Sequence, residues 1–143
     1  MNANEIDKAF QKILNLLSMR HSQSYQNREI IFNEGDIGQN IYFVQSGGVH
    51  IFSDQGEFKH TLCHLTAGDV FGEMAILNDL PRTASVEADP DCQLVVLNRE
   101  IFFTLMEKYP ILSLKMLRLM AERMRVMDSQ IKEELGYSNS TSV

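Results

Sequence analysis

The first twenty residues place apolar side chains at helical spacing. Apolar residues recur at steps of three and four, as expected for one face of a helix, at Ile6, Phe10, Ile13, Leu14 and Leu17. Asn4 precedes most of this series, where an asparagine side chain can cap a helix, and the pattern ends near Arg20. We therefore expect an N-terminal helix over residues 1–20 that braces the rest of the chain through its apolar face.

Residues 21–98 change to short apolar runs that are typical of β-strands. The runs are EIIF, NIYFVQ, GVHIFS, FKHTLCHL, TASVEA and CQLVVLN, with glycine, asparagine and aspartate at the turns between most of them. Asp54-Gln55-Gly56 has the composition of a hairpin loop. Many short strands with such turns predict an antiparallel β jelly-roll barrel, so the expected fold class is mainly β with flanking helices.

Residues 99–135 return to helical spacing and predict two C-terminal helices. Tyr109-Pro110 marks the break between them, because a proline ring disfavours helical geometry in the residue before it. Within residues 111–135, a heptad seam contains Leu114, Leu117, Ala121, Met124, Asp128, Ile131 and Leu135. The seam fits either homodimerisation through a coiled coil or packing of one helix on its own barrel. Asp128 would weaken a buried seam or set its register.

Length and composition fit one globular domain with a short polar tail. The chain has 143 residues, of which 44% are hydrophobic and 22% are charged. Its apolar runs are far shorter than the roughly 20 residues that span a bilayer, so no membrane contact is expected. We assign residues 1–135 to a single domain and residues 136–143 to the tail. The N-terminus lacks the basic start and apolar stretch of a signal peptide, which predicts a cytoplasmic protein.

Charge and cysteine content bear on the partners of the chain. The net charge of −6 disfavours non-specific nucleic-acid binding, and the GYSNSTSV stretch after Leu135 is too short and polar for a DNA-reading module. Basic residues dominate positions 108–125, as either a solvated helix face or a docking surface, at Lys108, Lys115, Arg118, Arg123 and Arg125. Cys63 and Cys92 form no CxxC pair, and we expect both to be buried as small apolar side chains.

The stretch FGEMAILNDLPRTASVEA, residues 71–88, carries the clearest chemical signal. Gly72 lets the backbone approach a ligand closely, and the apolar run over residues 73–77 is long enough for one or two turns of helix. The amides of Met74 and Ala75 would then be first-turn donors without intrahelical acceptors. Together with the helix dipole, such donors favour binding of an anion.

Two charged residues of this stretch narrow the range of ligands that it could bind. Arg82 follows a stiffening proline, and its planar guanidinium can hold two phosphate oxygens at once. An acidic residue such as Glu73 has no place beside a phosphate unless it accepts a hydrogen bond from a ribose hydroxyl, as acidic residues do in other nucleotide sites. A ligand that carries both groups close together is a cyclic nucleotide.

The order of these pieces resembles the phosphate-binding cassette of the cyclic nucleotide-binding domain family. The Gly-Glu-x-Ala and Pro-Arg-Thr-Ala-Ser pieces occur in sequence, and the EIIFNEGD, IYFVQSG and AGDV stretches before them also fit the family. The likeness extends over residues 5–130. It implies the β-barrel fold with flanking helices and a cyclic nucleotide as ligand.

The resemblance also assigns roles to individual residues. It implies backbone contacts from Gly72 and Ala75 to the cyclic phosphate. It further implies that Arg82 binds this phosphate and that Glu73 binds the ribose 2′-hydroxyl. The other cassette residues assigned to the ligand site are Phe71, Met74, Thr83 and Ala84.

Base recognition is assigned to the barrel wall, to Thr83 and to the last helix. Inward residues of the middle strands would flank the base, and offsets from nearby glycines indicate Ile51 and Leu62. The resemblance implies that the last helix swings over the base, and its candidates for this contact are Arg123, Met124 and Met127. A hydroxyl at Thr83 can bond the guanine amino group, but relatives with threonine or serine there also bind cAMP. Both cAMP and cGMP therefore remain as ligands.

We therefore expect a non-catalytic sensor that binds cAMP or cGMP and signals through its C-terminal helices to a separate partner protein. No nucleophile with an adjacent base and no paired acids are evident, so we expect no enzyme activity. We also expect no cofactor and no metal. One alternative is a ligand-free regulatory or scaffold subunit of the same fold. The simplest alternative for the cassette itself is a surface ion pair between Glu73 and Arg82.

A cupin-like metal enzyme is the alternative from a different class. His50, His60 and His64 all fall in predicted strands, and the spacing of His60 and His64 would place them on the same sheet face. An HxH pair with a following glutamate, which such a site would need, is lacking.

Overall fold

Residues 1–53 and 59–136 are described by the computed structural model, and they form two β-sheets flanked by helices. The element order is α1 (Ala3–His21), β1 (Ser22–Tyr25), β2 (Ile30–Phe32), β3 (Asn40–Ser46), β4 (Gly48–Ser53), β5 (His60–Thr66), β6 (Val70–Phe71), α2 (Glu73–Leu77), β7 (Ser85–Ala88), β8 (Cys92–Asn98), α3 (Arg99–Lys108) and α4 (Pro110–Glu134). The predicted hairpin loop at Asp54-Gln55-Gly56 and residues 137–143 of the tail lie outside the described residues.

Each sheet has four strands, in the orders β1-β8-β3-β6 and β2-β7-β4-β5, and all neighbouring strands are antiparallel. This arrangement confirms the antiparallel jelly roll with an N-terminal helix and C-terminal helices. Two strands were not among the predicted runs. The first, β1, has the polar sequence SQSY, and the other, β6, has only two residues, so neither gives an alternating apolar pattern.

Alternate residues of β3 divide the core into two clusters. Ile41 and Phe43 belong to a cluster that includes Phe10 of α1, Phe102 of α3 and Leu112 of α4. Their neighbours Tyr42 and Val44 belong to a second cluster with inward residues of the other strands. Successive side chains of a strand point to opposite faces, so one strand joins the helical layer to the barrel interior.

The cap of α1 differs from the prediction. Asn2, not Asn4, precedes the helix, and its Oδ1 accepts a hydrogen bond from the Glu5 amide at 2.9 Å. Both asparagines stand close to the apolar series, and either can accept a first-turn amide bond. Capping by Asn2 adds about half a turn to the helix, and the apolar spacing alone does not show which asparagine is the cap.

The chain breaks between α3 and α4 at the predicted place, with Tyr109 between the helices and Pro110 as the first residue of α4. The buried residues of α4 are Leu112 and Met116. The predicted seam is a different face. Its residues Leu117 and Ile131 are exposed, as are Leu114, Ala121, Met124, Asp128 and Leu135. Within the described residues, α4 therefore packs on the core mainly through residues outside the predicted seam.

Basic residues of α4 find acidic partners within the chain. Lys115 and Arg118 both donate to Asp7 of α1, at 2.9 and 2.5 Å, and Arg125 pairs with Glu122 on α4 itself. These contacts hold α1 against α4 and leave less of the basic excess for an external partner. Within residues 1–53 and 59–136, no helix is both long enough and apolar enough to cross a membrane.

Candidate functional site

A cavity of about 600 Å³ is enclosed by the inner face of one sheet, the short helix α2 and the middle of α4. Every residue that the sequence assigned to the ligand site lines it. From the strands and the cassette these are Ile51, Leu62, Phe71, Gly72, Glu73, Met74, Ala75, Arg82, Thr83 and Ala84, and from α4 they are Arg123, Met124 and Met127. Residues that are far apart in the sequence thus share one cavity.

Arg82 is the buried cation of this cavity. Its side chain is held by two carbonyl oxygens, because Nη1 donates to Gly72 at 3.0 Å and Nη2 donates to Asn40 at 2.8 Å. The residue is only 5% exposed, and Nε has no hydrogen-bond partner among the described residues. Within this part of the chain, no carboxylate lies in ion-pair distance of Arg82. The guanidinium is therefore fixed in place by carbonyl oxygens, and the carboxylates of Glu73 and Asp36 act on it only from a longer distance.

Two glycines leave the space that Arg82 occupies. A Cβ atom on Gly38 would lie 2.2 Å from Nη2 and 2.3 Å from Nε of Arg82. A Cβ atom on Gly72 would lie 2.9 Å from Nη1, and the φ angle of 83° at Gly72 is one that other residues rarely adopt. Both positions therefore require glycine if Arg82 is to keep this conformation.

Aromatic rings complete the surroundings of the guanidinium. The Arg82 Cζ atom lies 4.1 Å from the centre of the Phe32 ring and 5.8 Å from that of Tyr42. Such contacts are favourable for a planar cation. Burial lowers the pKa of Arg82 from its usual value, although an arginine remains charged at any ordinary pH.

Glu73 is also buried, and its partner is on α4. Arg123 Nη1 donates to Glu73 Oε1 at 2.9 Å, and Arg123 Nη2 donates to the carbonyl oxygen of Val70. The Glu73 side chain is 11% exposed, so this ion pair is largely shielded from water. The alternative of a surface ion pair between Glu73 and Arg82 is therefore wrong, since both residues are buried and Glu73 pairs with a different arginine.

The mouth of the cavity is lined by more exposed side chains. Leu62, Met74 and Thr83 are exposed on the barrel side, while Met124 and Met127 are exposed on α4. The Thr83 hydroxyl lies 3.6 Å from the Met74 sulfur, a weak acceptor that a better one can replace. A flat apolar group could lie between these two sides.

Four residues that line the cavity were not predicted from the sequence, namely Phe32, Cys63, Val86 and Met120. Two of them follow from strand register, because Ile51 pairs with Cys63 on β5 and with Val86 on β7, which places all three on one face. Met120 stands three and four positions before Arg123 and Met124, so helical spacing was enough to find it.

The two cysteines differ in exposure. Cys92 is buried as predicted, but the prediction that Cys63 is buried is wrong, since it is exposed at the cavity wall. Partial desolvation by this wall raises the pKa of the Cys63 thiol, against a smaller opposite effect of Arg123. The thiol is therefore poorly suited to act as a nucleophile.

A β-bulge also overturns one prediction for the histidines. The β4–β5 register shifts between the Ile51–Cys63 pair and the Phe52–Thr61 pair, so Leu62 is the extra residue. Leu62 and Cys63 both line the cavity although they are consecutive. The four-residue spacing of His60 and His64 therefore does not place these two rings on one face.

The fold and the site together define a ligand-binding β-barrel module with a buried cation under a C-terminal helix. The family model described as the cyclic nucleotide-binding domain matches residues 22–109, which is more than half of the chain. The chain belongs to this family. The resemblance inferred from the cassette is thereby confirmed.

Two known proteins with similar sequences are a receptor protein and a kinase regulatory subunit. It is 35% identical to the cyclic AMP receptor protein of Thermus thermophilus over 116 residues, 80% of this chain and 54% of that protein. It is 45% identical to the cAMP-dependent protein kinase regulatory subunit of Debaryomyces hansenii over 67 residues, 47% of this chain and 14% of that subunit.

Structural comparison agrees. The crystal structure of the Thermus thermophilus catabolite activator protein matches with a TM-score of 0.72 and 33% identity, over 85% of this chain and 58% of that one. The chain thus spans about half the length of these bacterial relatives. It is a cyclic nucleotide-binding regulatory domain like those of the receptor protein and the kinase subunit.

Proposed function

We propose that residues 1–135 form one sensor domain that binds cAMP or cGMP in the cavity and responds by moving α4. In this proposal Arg82 holds the cyclic phosphate, Glu73 holds the ribose 2′-hydroxyl, and the cavity-lining residues of α4 cover the base. The domain acts without catalysis and passes its signal to a separate protein.

The observation that carries this proposal is the buried guanidinium of Arg82 without a carboxylate partner. Burial of a charge is costly unless a counter-charge compensates it. Two carbonyl oxygens supply only partial compensation, and they fix the direction in which the guanidinium points. A phosphate supplies a full negative charge and a geometry that an arginine can bind through two oxygens. Gly72 and Ala75 line the same cavity as Arg82.

The placement of Glu73 supports recognition of the sugar. One of its oxygens, Oε1, accepts from Arg123, while the carboxylate can accept several hydrogen bonds in all. A ribose 2′-hydroxyl that donates to the other oxygen would therefore leave the ion pair intact. The sugar would then lie between Arg82 on the phosphate side and α4 on the base side.

The apolar walls suit a purine base. Ile51 and Leu62 lie on the barrel side, and Met124 and Met127 lie on α4. Adenine and guanine both fit this description, so we keep cAMP and cGMP as the candidate ligands. The similarity to a cyclic AMP receptor protein over 80% of the chain favours testing cAMP first.

The output of the sensor is assigned to α4. A ligand shifts a conformational equilibrium only when it binds one conformation more tightly than the other. Contact between the bound base and α4 provides such a difference.

The exposed seam of α4 further favours a homodimer, since an apolar helix face of this length is seldom left to water. Sedimentation of the wild type and of Leu117→Glu tests the dimer, and the charged side chain should dissociate it. A dimer that survives this change would rule out the seam as the interface.

Titration calorimetry with cAMP and cGMP tests the proposal directly. Arg82→Ala should weaken binding by about 2–4 kcal/mol, the scale for removing one partner of a buried charged pair. Arg82→Lys is the matched variant, because it keeps the charge but not the fork geometry, and it should lose affinity to a smaller extent. Thermal melts establish that both variants fold. Unchanged affinity in a folded Arg82→Ala variant, or no binding by the wild type, would favour the ligand-free scaffold instead.

A further inference from the structure

His50, His64 and Asp89 converge on the sheet face opposite the cavity. His50 and His64 are directly paired across β4 and β5, and Asp89 follows β7, the strand on the other side of β4. The backbone amide of Asp89 donates to the carbonyl oxygen of Gly48 at 2.9 Å, which fixes the carboxylate beside the two rings. One ligand atom from each of the three residues lies within 4.8 Å of the others.

Strand alternation separates this cluster from the nucleotide cavity. Ile51, Cys63 and Val86 line the cavity from three adjacent strands. His50, His64 and Glu87 are the sequence neighbours of these residues, and they pair with one another across the same strands. Successive side chains point to opposite faces, so the histidines lie on the outer face of the sheet.

The distances within the cluster suit a transition metal. Asp89 Oδ1 lies 3.0 Å from His50 Nδ1, and Asp89 Oδ2 lies 3.6 Å from His64 Nδ1. Ligand atoms bound about 2.1 Å from a tetrahedral zinc ion are separated by about 3.4 Å, so small side-chain rotations are enough. The His64 side chain is 63% exposed and is free to make such a rotation.

A second carboxylate lies behind His50. Glu87 Oε2 is 3.7 Å from His50 Nε2, on the ring nitrogen that does not face Asp89, and Lys59 Nζ holds the same carboxylate oxygen. Histidines that bind metals almost always donate their second ring N–H to a carboxylate or carbonyl group. The Glu87 carboxylate is 3.7 Å from this nitrogen, so a small shift of the ring on metal binding would bring the two groups into hydrogen-bond range.

We propose that His50, His64 and Asp89 bind one Zn²⁺ ion on the outer face of the β2-β7-β4-β5 sheet. Imidazole and carboxylate ligands suit zinc, and the three protein ligands leave the fourth position to water. The ion would join β4, β5 and the end of β7, and it would stabilise the barrel without contacting the nucleotide. This site departs from the expectation of no metal, which rested on the missing HxH pair.

Calorimetric titration of the metal-free chain with ZnCl₂ tests the proposal, supported by the visible spectrum after Co²⁺ addition. We expect about one ion per chain and a raised melting temperature with Zn²⁺, since binding to the folded state stabilises it. His64→Ala and Asp89→Asn should each lower zinc affinity at least 10-fold. Glu87→Gln, a positioning variant, should lower it about 10- to 100-fold.

His60→Gln is the matched control, because His60 is an exposed histidine of the same strand that lies outside the cluster. It should bind zinc like the wild type. Cys63→Ser should also bind normally, and the Co²⁺ spectrum should lack thiolate charge-transfer bands. Failure of the wild type to bind zinc, equal binding by folded His64→Ala, or loss of binding in Cys63→Ser would each overturn the proposal.

Discussion

Arg123 of α4 donates a hydrogen bond to Glu73 of α2 at 2.9 Å, across 50 positions of the sequence. The same guanidinium also donates to the carbonyl oxygen of Val70, so it joins α4 to both sides of the first cassette turn. The residue proposed to bind the ribose is thereby connected to the helix proposed to carry the signal. In the proposed function, a change at the sugar site would reach α4 through this one side chain.

Arg123→Ala should loosen α4 over the cavity and weaken nucleotide binding by about 1.5–3 kcal/mol, since hydrogen bonds to charged groups contribute on this scale. Amide hydrogen exchange should become faster in residues 119–134. Arg125→Ala removes an equally charged residue from the same helix, but its partner Glu122 is on α4 itself. Equal exchange rates in the two variants would contradict the assigned role of Arg123.

Glu73→Gln replaces an anionic acceptor with a neutral one of the same shape. Binding of a cyclic ribonucleotide should fall by about 1–2 kcal/mol, the difference between charged and neutral hydrogen bonds. The 2′-deoxy analogue lacks the donor, so its affinity should hardly change. Calorimetry with both ligands makes the comparison. If the two lose affinity equally, Glu73 supports α2 through Arg123 and does not bind the sugar.

Thr83→Ala tests base choice at the cavity mouth. The variant removes one neutral hydrogen bond, worth about 0.5–1.5 kcal/mol, so cGMP affinity should fall up to about tenfold. Affinity for cAMP should stay nearly constant, because adenine has no amino group at the corresponding ring position. Parallel titrations of wild type and variant measure both. Equal losses would assign the hydroxyl to the shared phosphate.

Asp7→Asn tests how α1 is held against α4. Hydrogen bonds from Lys115 first, and also from Arg118, lower the pKa of the Asp7 carboxyl below its usual value. A lowered folded-state pKa means that the stabilisation is complete above the unfolded pKa of about 3.9 and is lost as the pH falls through the folded value.

The melting temperature of Asp7→Asn should accordingly lie below that of the wild type at neutral pH, and the difference should shrink below about pH 4. The effect should be small, at most about 1 kcal/mol, because Asp7 is partly exposed. Glu122→Gln provides the control, since the ion pair of Glu122 with Arg125 lies within α4 and does not join two helices. A difference between wild type and Asp7→Asn that persists unchanged in acid would show that packing, not charge, holds the two helices together.

Much of the fold and of the site follows from the sequence, because the cassette is a continuous segment. Gly72, Glu73 and Arg82 are close in sequence, so their spacing alone indicates a phosphate site. Six of the eight strands follow from apolar runs, and the helix break follows from Pro110. These signals are local, and local signals are what periodicity and turn chemistry report.

The rest depends on contacts that are distant in sequence. The partner of Glu73 lies 50 residues away, and nothing in the cassette distinguishes Arg123 from Arg118 or Arg125. The bulge at Leu62 changes which residues share a face, and the sequence of this strand does not show which residue is the extra one. Cys63 is exposed because its strand face lines the open cavity. Register and side-chain pairing are properties of the assembled barrel.

One continuous helix, α4, contributes residues to the cavity and to the exposed seam, and Met124 belongs to both sets. A rigid rod cannot turn one of its faces while the other stays still. If the helix tilts or rotates to follow a bound base, the stripe of leucine, methionine and isoleucine on its outside takes a new direction by the same angle. The sensor would then need no series of small internal shifts, since the helix that contacts the ligand is also the helix that another molecule would bind.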